Sequence, residues 1–378
     1  MTLKKAVNAQ PPPVPSPSQH VSESAHLPPL SKGIDMPSMP PLKWIAFVVR
    51  LPLILLACAL TTLTYADVKA DIGALQIIVP FGPGGGADQL ARESAILLNS
   101  LLSTPVEVTN IPGATGNAGI AKLIAAPNDG HTMAILTADT FALLAYLNPG
   151  WKPIDIVPLG IMMKQRSALF LPATSRFKTW GDFEKEARQR PDTLRVAITG
   201  LGSPDYLMLQ QLFAKGIKLV PVPMANPVER YRAMSDGKAD ALYEQYGDVR
   251  AFVDEKQIRP ILMFSAARVP AFADVPASRE LGLGDGFDQF RAIVVKAGTD
   301  PAKIKTLSDA LAKVAGTPQY KTFLETQAAS NDSYIASKDA AAFLQTQLDA
   351  MKKIVQALPF HARYIFDNDE IERYLDTF

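Results

Sequence analysis

Two glycine-rich stretches hold the residues best suited to chemistry in this chain. The first is Pro80-Phe81-Gly82-Pro83-Gly84-Gly85-Gly86-Ala87-Asp88, after the apolar run Ile77-Ile78-Val79. The second is Asn110-Ile111-Pro112-Gly113-Ala114-Thr115-Gly116-Asn117-Ala118-Gly119, after Val106-Glu107-Val108. Each opens into a segment with helical spacing of apolar residues. Glycine lets backbone amides turn into the concavity of a loop, and a helix N-terminus adds partial positive charge. Two such loops at the ends of neighbouring parallel strands make a neutral trap for an anion. A third loop, Thr199-Gly200-Leu201-Gly202-Ser203-Pro204-Asp205, also follows a strand pattern and precedes a helical one. Ser203 suits the N-cap of that helix and Pro204 its first turn.

Other chemistries fit less well. Gly82-Pro83-Gly84-Gly85-Gly86-Ala87 satisfies G-x-G-x-x-A, and Glu107 lies 20 residues past Ala87, as in a dinucleotide fingerprint. Pro80 and Phe81 before the first glycine and Pro83 inside the loop depart from that motif. A dehydrogenase also needs a proton-transfer group beside its cofactor. Beyond the N-terminal segment the only histidines are His131 and His361. No Lys-Ser/Thr pair follows the glycines, which excludes a P-loop. His131 opens an apolar strand after the turn Asn128-Asp129-Gly130 and reads as structural. A Ser-His-Asp triad or a histidine-rich metal site is disfavoured by so few histidines. No cofactor and no metal are expected. Asp88 has two compatible readings: it favours its helix N-terminus, or it shapes the loop in a ligand cleft. Trp151 and Trp180 read as packing anchors.

The elements that must position these loops alternate. Helical periodicity marks 88–102, 119–125, 179–187, 206–215, 228–234, 303–314 and 340–358. Strand patterns mark 76–79, 106–109, 132–136, 169–171, 194–198, 219–221, 241–243, 261–264 and 292–296. Such alternation predicts an α/β chain with helices on both faces of mostly parallel sheets, and ligands at the carboxyl ends of strands.

Composition bounds the rest. The 378 residues are 48% hydrophobic, enough for two cores. Lys and Arg (38) nearly cancel Asp and Glu (37), so no basic field argues for nucleic acid. Residues 1–42 are too rich in Pro and Ser to pack and read as a disordered tail. Residues 43–66 then read as a secretory signal peptide: Lys43 and Arg50 precede the apolar run Leu51–Leu60, and a small residue, Ala66, closes it. An uncleaved anchor is the alternative, although the run is short of the roughly 20 apolar residues of a membrane span. The one cysteine, Cys58, sits in Leu55-Leu56-Ala57-Cys58. It reads as an apolar residue of the signal segment or, alternatively, as a lipidation site. Cleavage at Ala66 leaves a chain without cysteine, hence without disulfides or thiolate chemistry.

Several linked motifs resemble the tripartite tricarboxylate transporter substrate receptors, also called Bug receptors. They are Val79-Pro80-Phe81-x-Pro83-Gly84-Gly85-x-x-Asp88, Asn110-x-Pro112-Gly113-Ala114-x-Gly116-Asn117-x-Gly119 and Ala126-Pro127-x-Asp129-Gly130-x-Thr132. Gly202-Ser203-Pro204, Val222-Pro223, Gly237-Lys238-Ala239-Asp240, Asp274-Val275-Pro276 and Ala297-Gly298-Thr299-Asp300-Pro301 follow in the family's order. The likeness runs from about 76 to 358.

That resemblance implies a two-domain periplasmic binding fold (type II-like) with a ligand cleft and a hinge. One domain would be 67–166 plus 290–378, the other 167–289. It implies a monomeric, non-enzymatic periplasmic receptor that captures a small carboxylate and hands it to a membrane permease. The pocket positions it implies are Phe81, Gly84, Gly85 and Asp88; Gly113, Ala114, Thr115, Gly116 and Asn117; and Thr199, Ser203 and Glu244. The chain departs from the family at Ile111, where a basic residue is usual, and at Met224-Ala225-Asn226. Both changes remove basic or aromatic groups near the cleft. Glu244 would repel a second carboxylate unless protonated or paired with a ligand amine or hydroxyl. One dominant carboxylate is therefore expected, and not citrate. Two other functions stay open: a nicotinamide-dependent or carboxylate-processing enzyme, and an orphan receptor feeding a sensor. The tail 359–378 extends past the usual family end, with Asn368 suited to cap a short helix.

Overall fold

The computed structural model describes residues 73–330 and 332–358. The expectations for the N-terminal tail, the signal segment, Cys58, His361 and the 359–378 tail lie outside these residues. All described residues belong to the Lys69–Phe378 unit, one of two compact units in the chain.

Strand β1 (Leu75–Val79) runs through the first glycine loop into α1 (Gly86–Leu102). The chain returns along β2 (Val106–Asn110), parallel to β1, with Ile77 beside Val108. The second loop leads into α2 (Asn117–Ala125), then β3 (Thr132–Thr137), α3 (Ala138–Ala142) and β4 (Ile156–Gln165). Only Arg166 separates β4 from β5 (Ser167–Pro172), which already lies in a second sheet. There follow α4 (Trp180–Gln189), β6 (Arg195–Ile198), α5 (Pro204–Ala214), β7 (Val220–Pro223), α6 (Pro227–Arg232), β8 (Ala241–Gln245), α7 (Arg250–Asp254) and β9 (Ile258–Phe264). The chain crosses back into β10 (Gln289–Lys296) and closes with α8 (Pro301–Gly316), α9 (Pro318–Thr326), β11 (Ile335–Ala336) and α10 (Ser337–Ala357).

The first sheet has the order β11-β4-β10-β3-β1-β2 and the second β7-β6-β8-β5-β9. The two crossings lie side by side, because Gln165 at the end of β4 pairs with Gln289 at the start of β10. Both sheets are mixed rather than mostly parallel. β10 runs antiparallel to β3 and β4, and β5 antiparallel to β8 and β9. The strands that enter or leave a sheet by a crossing are the antiparallel ones.

Several helices begin where short polar side chains spare their first amides. Thr179 accepts from the Asp182 amide and the Asp182 carboxylate accepts from the Thr179 amide, a capping box. Asp300 caps α8 ahead of Pro301. Along β3, Met133 and Ile135 face one core while Ala134 and Leu136 face another, the two-residue period of a strand buried on both sides. One core lies between the first sheet and α1, α8 and α9, around Leu90, Leu98, Leu311 and Tyr320. A second is continuous from Ile78 and Phe290 to Tyr206 and Tyr243, so it spans both sheets. A third, around Phe170 and Leu242, covers the other face of the second sheet.

Five elements have no counterpart in the sequence patterns: α3, β4, α7, α9 and β11. β4 is a central strand despite Pro158 and Gly160, residues that argue against a strand interior. Its ladder with β10 slips between Ile293 and Val294, where Pro158 pairs, so the missing proline N–H falls at an irregularity. Among the described residues no helix is long and apolar enough to cross a membrane.

Candidate functional site

The first glycine loop is held open by its own aspartate. Asp88, in the first turn of α1, accepts from the Gly84 amide at 3.0 Å. It also accepts from Arg92 Nε and Nη2, both at 2.9 Å, and from Asn110 Nδ2 at 3.0 Å. Asn110 sits at the end of β2 and also donates to the Phe81 carbonyl at 3.0 Å. Burial favours a neutral Asp88, but Arg92, the Gly84 amide and Asn110 together hold its pKa below the ordinary value. Its carboxylate is thus spent on the loop, which fits the loop-shaping reading. Gly85 is the N-cap of α1, in extended backbone at φ −80° and ψ 170°.

In the second loop Gly113, Ala114, Thr115 and Gly116 all have positive φ. For Thr115, at φ 53°, this is a strained conformation for a β-branched residue. Thr140 Oγ1 donates to the Thr115 carbonyl at 3.0 Å, and Thr115 Oγ1 donates across to Leu201 in the third loop at 3.3 Å. Gly116 has φ 87°, and a Cβ there would meet Thr140 Oγ1 and lie 3.0 Å from the Phe81 ring. The two loops therefore touch through Phe81. Asn117 faces elsewhere: its Oδ1 accepts from Trp151 Nε1 at 2.7 Å and its Nδ2 donates to Pro149 at 3.0 Å.

The facing wall comes from the second sheet. Thr199 follows β6, and its amide donates to Asp205 Oδ2 at 3.0 Å. Ser203 is fully buried as the N-cap of α5, accepting from the Tyr206 amide at 3.3 Å and donating to Gly200 at 2.8 Å. Asn226 caps α6 by accepting from the Val228 and Glu229 amides. Glu244 on β8 accepts from Arg230 Nε at 2.9 Å and is almost fully buried.

Between these walls lies a narrow, partly open cavity of about 20 Å³, room for about one water. Phe81, Gly85, Thr199 and Glu244 line it, all positions singled out from the sequence. Gly84 stands at its edge, with Val228 Cγ2 3.7 Å from where its Cβ would be. Asp88, Asn117 and Ser203 commit their side chains to neighbouring backbone and side chains. Gly113, Ala114, Thr115 and Gly116 are absent from the lining and abut Phe81, Thr140 and Leu201 instead.

Sequence reasoning missed Thr137 and Pro227 in the lining, and with them five charged or amide side chains: Asp139, Arg230, Gln245, Asp248 and Arg291. Two of them, Arg230 and Arg291, are guanidiniums. Arg291 Nη2 bonds Asp248 at 2.5 Å and Gln245 at 3.2 Å, and its Nη1 bonds Gln165. This network joins β10 and β4 of the first sheet to the C-terminal end of β8, the central strand of the second. A charged residue within the apolar run of β10 was a readable signal for Arg291. Asp139 follows β3 directly, at a carboxyl end where ligands of α/β sheets gather. Arg230 and Asp248 carry no comparable signal.

Electrostatically this wall favours protons. Burial, with the repulsion of Asp248 and Asp205, outweighs Arg230 and pushes the Glu244 carboxyl up to about 7. Burial and the neighbouring Asp205 and Glu244 raise Asp139 well above the ordinary range. A larger cavity, about 310 Å³, opens beside the crossing segments against Lys164, Phe272 and Ala329. It contains neither glycine loop, so the cleft is the better candidate.

Comparison with known proteins adds to this geometry. The family model described as "Tripartite tricarboxylate transporter family receptor" matches residues 90–360. The UPF0065 protein in the tcbD-tcbE intergenic region of Pseudomonas sp. (strain P51) is 28% identical over 248 residues, 64% of this chain and 73% of that protein. Protein BugT of Bordetella pertussis is 28% identical over 255 residues, 64% of this chain and 77% of that one. The solved periplasmic binding protein BugD aligns with TM-score 0.70 and 19% identity, over 75% of this chain and 96% of its own. MatC from Rhodopseudomonas palustris, solved with malate, aligns at 0.68 and 22%, over 74% and 98%. An R. palustris protein solved with adipate aligns at 0.69 and 21%, over 75% and 96%.

Proposed function

The chain belongs to the tripartite tricarboxylate transporter family of receptors, and from that premise we propose that it captures a small carboxylate between its two sheets and delivers it to a membrane permease. Family and fold are those of solute-binding receptors, not enzymes. The observation that carries the proposal is the cleft itself. Gly85 and Gly86 at the N-terminus of α1 face Thr199, Arg230 and Glu244 across a narrow, partly open cavity. Loop amides and a helix N-terminus favour a carboxylate without any reactive group. Malate and adipate in the two similar structures support that ligand class.

We place the lobes at 67–166 plus 290–378 and at 167–289. In support, β5 to β9 all fall within the second range, and the described strands of the first sheet outside it, save for Gln289. A cavity of about 20 Å³ admits no dicarboxylate, so capture requires the sheets to separate about the paired crossings at Gln165 and Gln289. The pocket we infer comprises Phe81, Gly84, Gly85 and Thr199, with Glu244 and Arg230 as a neutralised pair. Gly113 to Gly116 would join it in the open form. The protein would act as a periplasmic monomer released by cleavage after Ala66.

A calorimetric screen of mono-, di- and tricarboxylates against the purified protein tests the reading. Micromolar or tighter binding of a carboxylate supports it, and no binding by any of them overturns it. N-terminal sequencing of the exported protein should begin at Asp67. A mature chain that keeps Met1 would refute the export signal.

A further inference from the structure

We propose that the ligand carries a protonated nitrogen beside its carboxylate, and that Asp139 is the residue that selects for it. This rests on the carboxylate-receptor reading and narrows it. Three carboxylates line the cavity, those of Asp139, Glu244 and Asp248, against two guanidiniums, Arg230 and Arg291. Both guanidiniums are already engaged. Arg230 serves Glu244 and the Met224 carbonyl, at 2.9 and 2.7 Å. Arg291 serves Asp248, Gln245 and Gln165.

Two carboxylate oxygens remain over. Asp139 Oδ1 and Asp248 Oδ1 are buried and have no hydrogen-bond partner among the described residues. The Asp248 side chain is only 2% exposed. Buried acceptors of this kind call for a donor. A dicarboxylate closed into this cleft would add two negative charges and no donor. An ammonium offers up to three N–H donors and one positive charge. No three carboxylates or histidines among the described residues converge as metal ligands do, which favours an organic cation over a metal ion. The α1 N-terminus then keeps its carboxylate role, while Asp139, at the start of α3, meets the nitrogen.

Protonation sets an opposite demand. The groups that act on Asp139 are Asp205, Glu244, Arg230 and Arg291, with Tyr146 and Tyr243 beside it. With Asp139 neutral, its O–H would donate to a second carboxylate instead. Amine-bearing ligands should therefore bind more tightly as pH rises and Asp139 loses its proton, and dicarboxylates less tightly.

The test is calorimetry on the full chain with matched probes: butanoate, 4-aminobutanoate, succinate, propanoate, alanine and malate. The account predicts an amine-bearing probe at least about tenfold tighter than its plain or dicarboxylate match. Asp139→Asn should remove that preference, with thermal unfolding run alongside to show that the variant is folded. Asp139→Glu, which keeps the charge, should retain part of the preference. Tightest binding of succinate or malate, with Asp139→Asn neutral or beneficial, would overturn the proposal and leave the receptor reading intact. Failure of every probe would sink both.

Discussion

Gly85→Ala separates closure of the cleft from integrity of the fold. Gly85 lies at φ −80° and ψ 170°, backbone that any residue adopts, so alanine adds no conformational strain. In the closed form, however, its Cβ would lie 2.8 Å from Pro227 Cγ and 3.1 Å from Pro227 Cβ. Pro227 opens α6 on the opposite sheet, and its ring cannot rotate away. Carbon atoms prefer about 3.5–4.0 Å, so closure must stop several tenths of an ångström short or α6 must shift. Overpacking of this size costs about 1–3 kcal/mol. All of it falls on the closed, ligand-bound state, so affinity for the best carboxylate should drop about 5- to 150-fold. Calorimetry gives the affinity, thermal unfolding without ligand should be nearly unchanged, and small-angle scattering with ligand should show a less compact protein. Wild-type affinity in a folded Gly85→Ala protein would refute the placement of the ligand between these walls.

Further predictions concern the residues around the cleft. Asp88→Ala should lower stability by about 1–3 kcal/mol in chemical denaturation, because the Gly84 amide and Asn110 lose their acceptor. Half-exposed Arg92 adds little to that figure. With Asp88 held below its ordinary value, its contribution is present above that value and is lost as pH falls through the acid range. Glu244 acts with the opposite sign. Unfolded, it releases its proton near 4.5, whereas folded it keeps it to about 7, so stability falls as pH rises across that window. The effect is on the order of 3 kcal/mol, and Glu244→Gln should flatten it in urea titrations at a series of pH values. NAD and NADP should leave the melting temperature unchanged, and a clear stabilisation by either would reopen the dinucleotide reading.

Much of this architecture was legible in residue patterns, for reasons that also explain the gaps. The loops at Gly82–Ala87 and Pro112–Gly119 announced themselves because glycine, proline and a following amphipathic pattern have few other uses together. Helices α1, α2, α4, α5 and α8 carried caps or apolar faces and were found within a few residues of their ends. β4 stayed hidden because Pro158 and Gly160 are tolerated only through a ladder slip against β10, a feature of pairing rather than of local sequence. α9 stayed hidden because it is short, with only Tyr320 and Leu324 buried. At the site, local pattern indicated Ser203 as a helix cap and Asp88 as a shaper of its own loop, but not that Asn117 is spent on Trp151. The charges that line the cavity, Asp139, Arg230, Asp248 and Arg291, come from four separate stretches, and only the crossing of the two sheets brings them together.

The most direct measurement of the central claim is a crystal structure with the tightest-binding carboxylate of the screen. The ligand carboxylate should lie between the Gly84–Gly86 loop and the wall of Thr199 and Arg230, with the crossings at Gln165 and Gln289 as the hinge. Density for it in the cavity beside Lys164 and Phe272, with the cleft unchanged, would contradict the account.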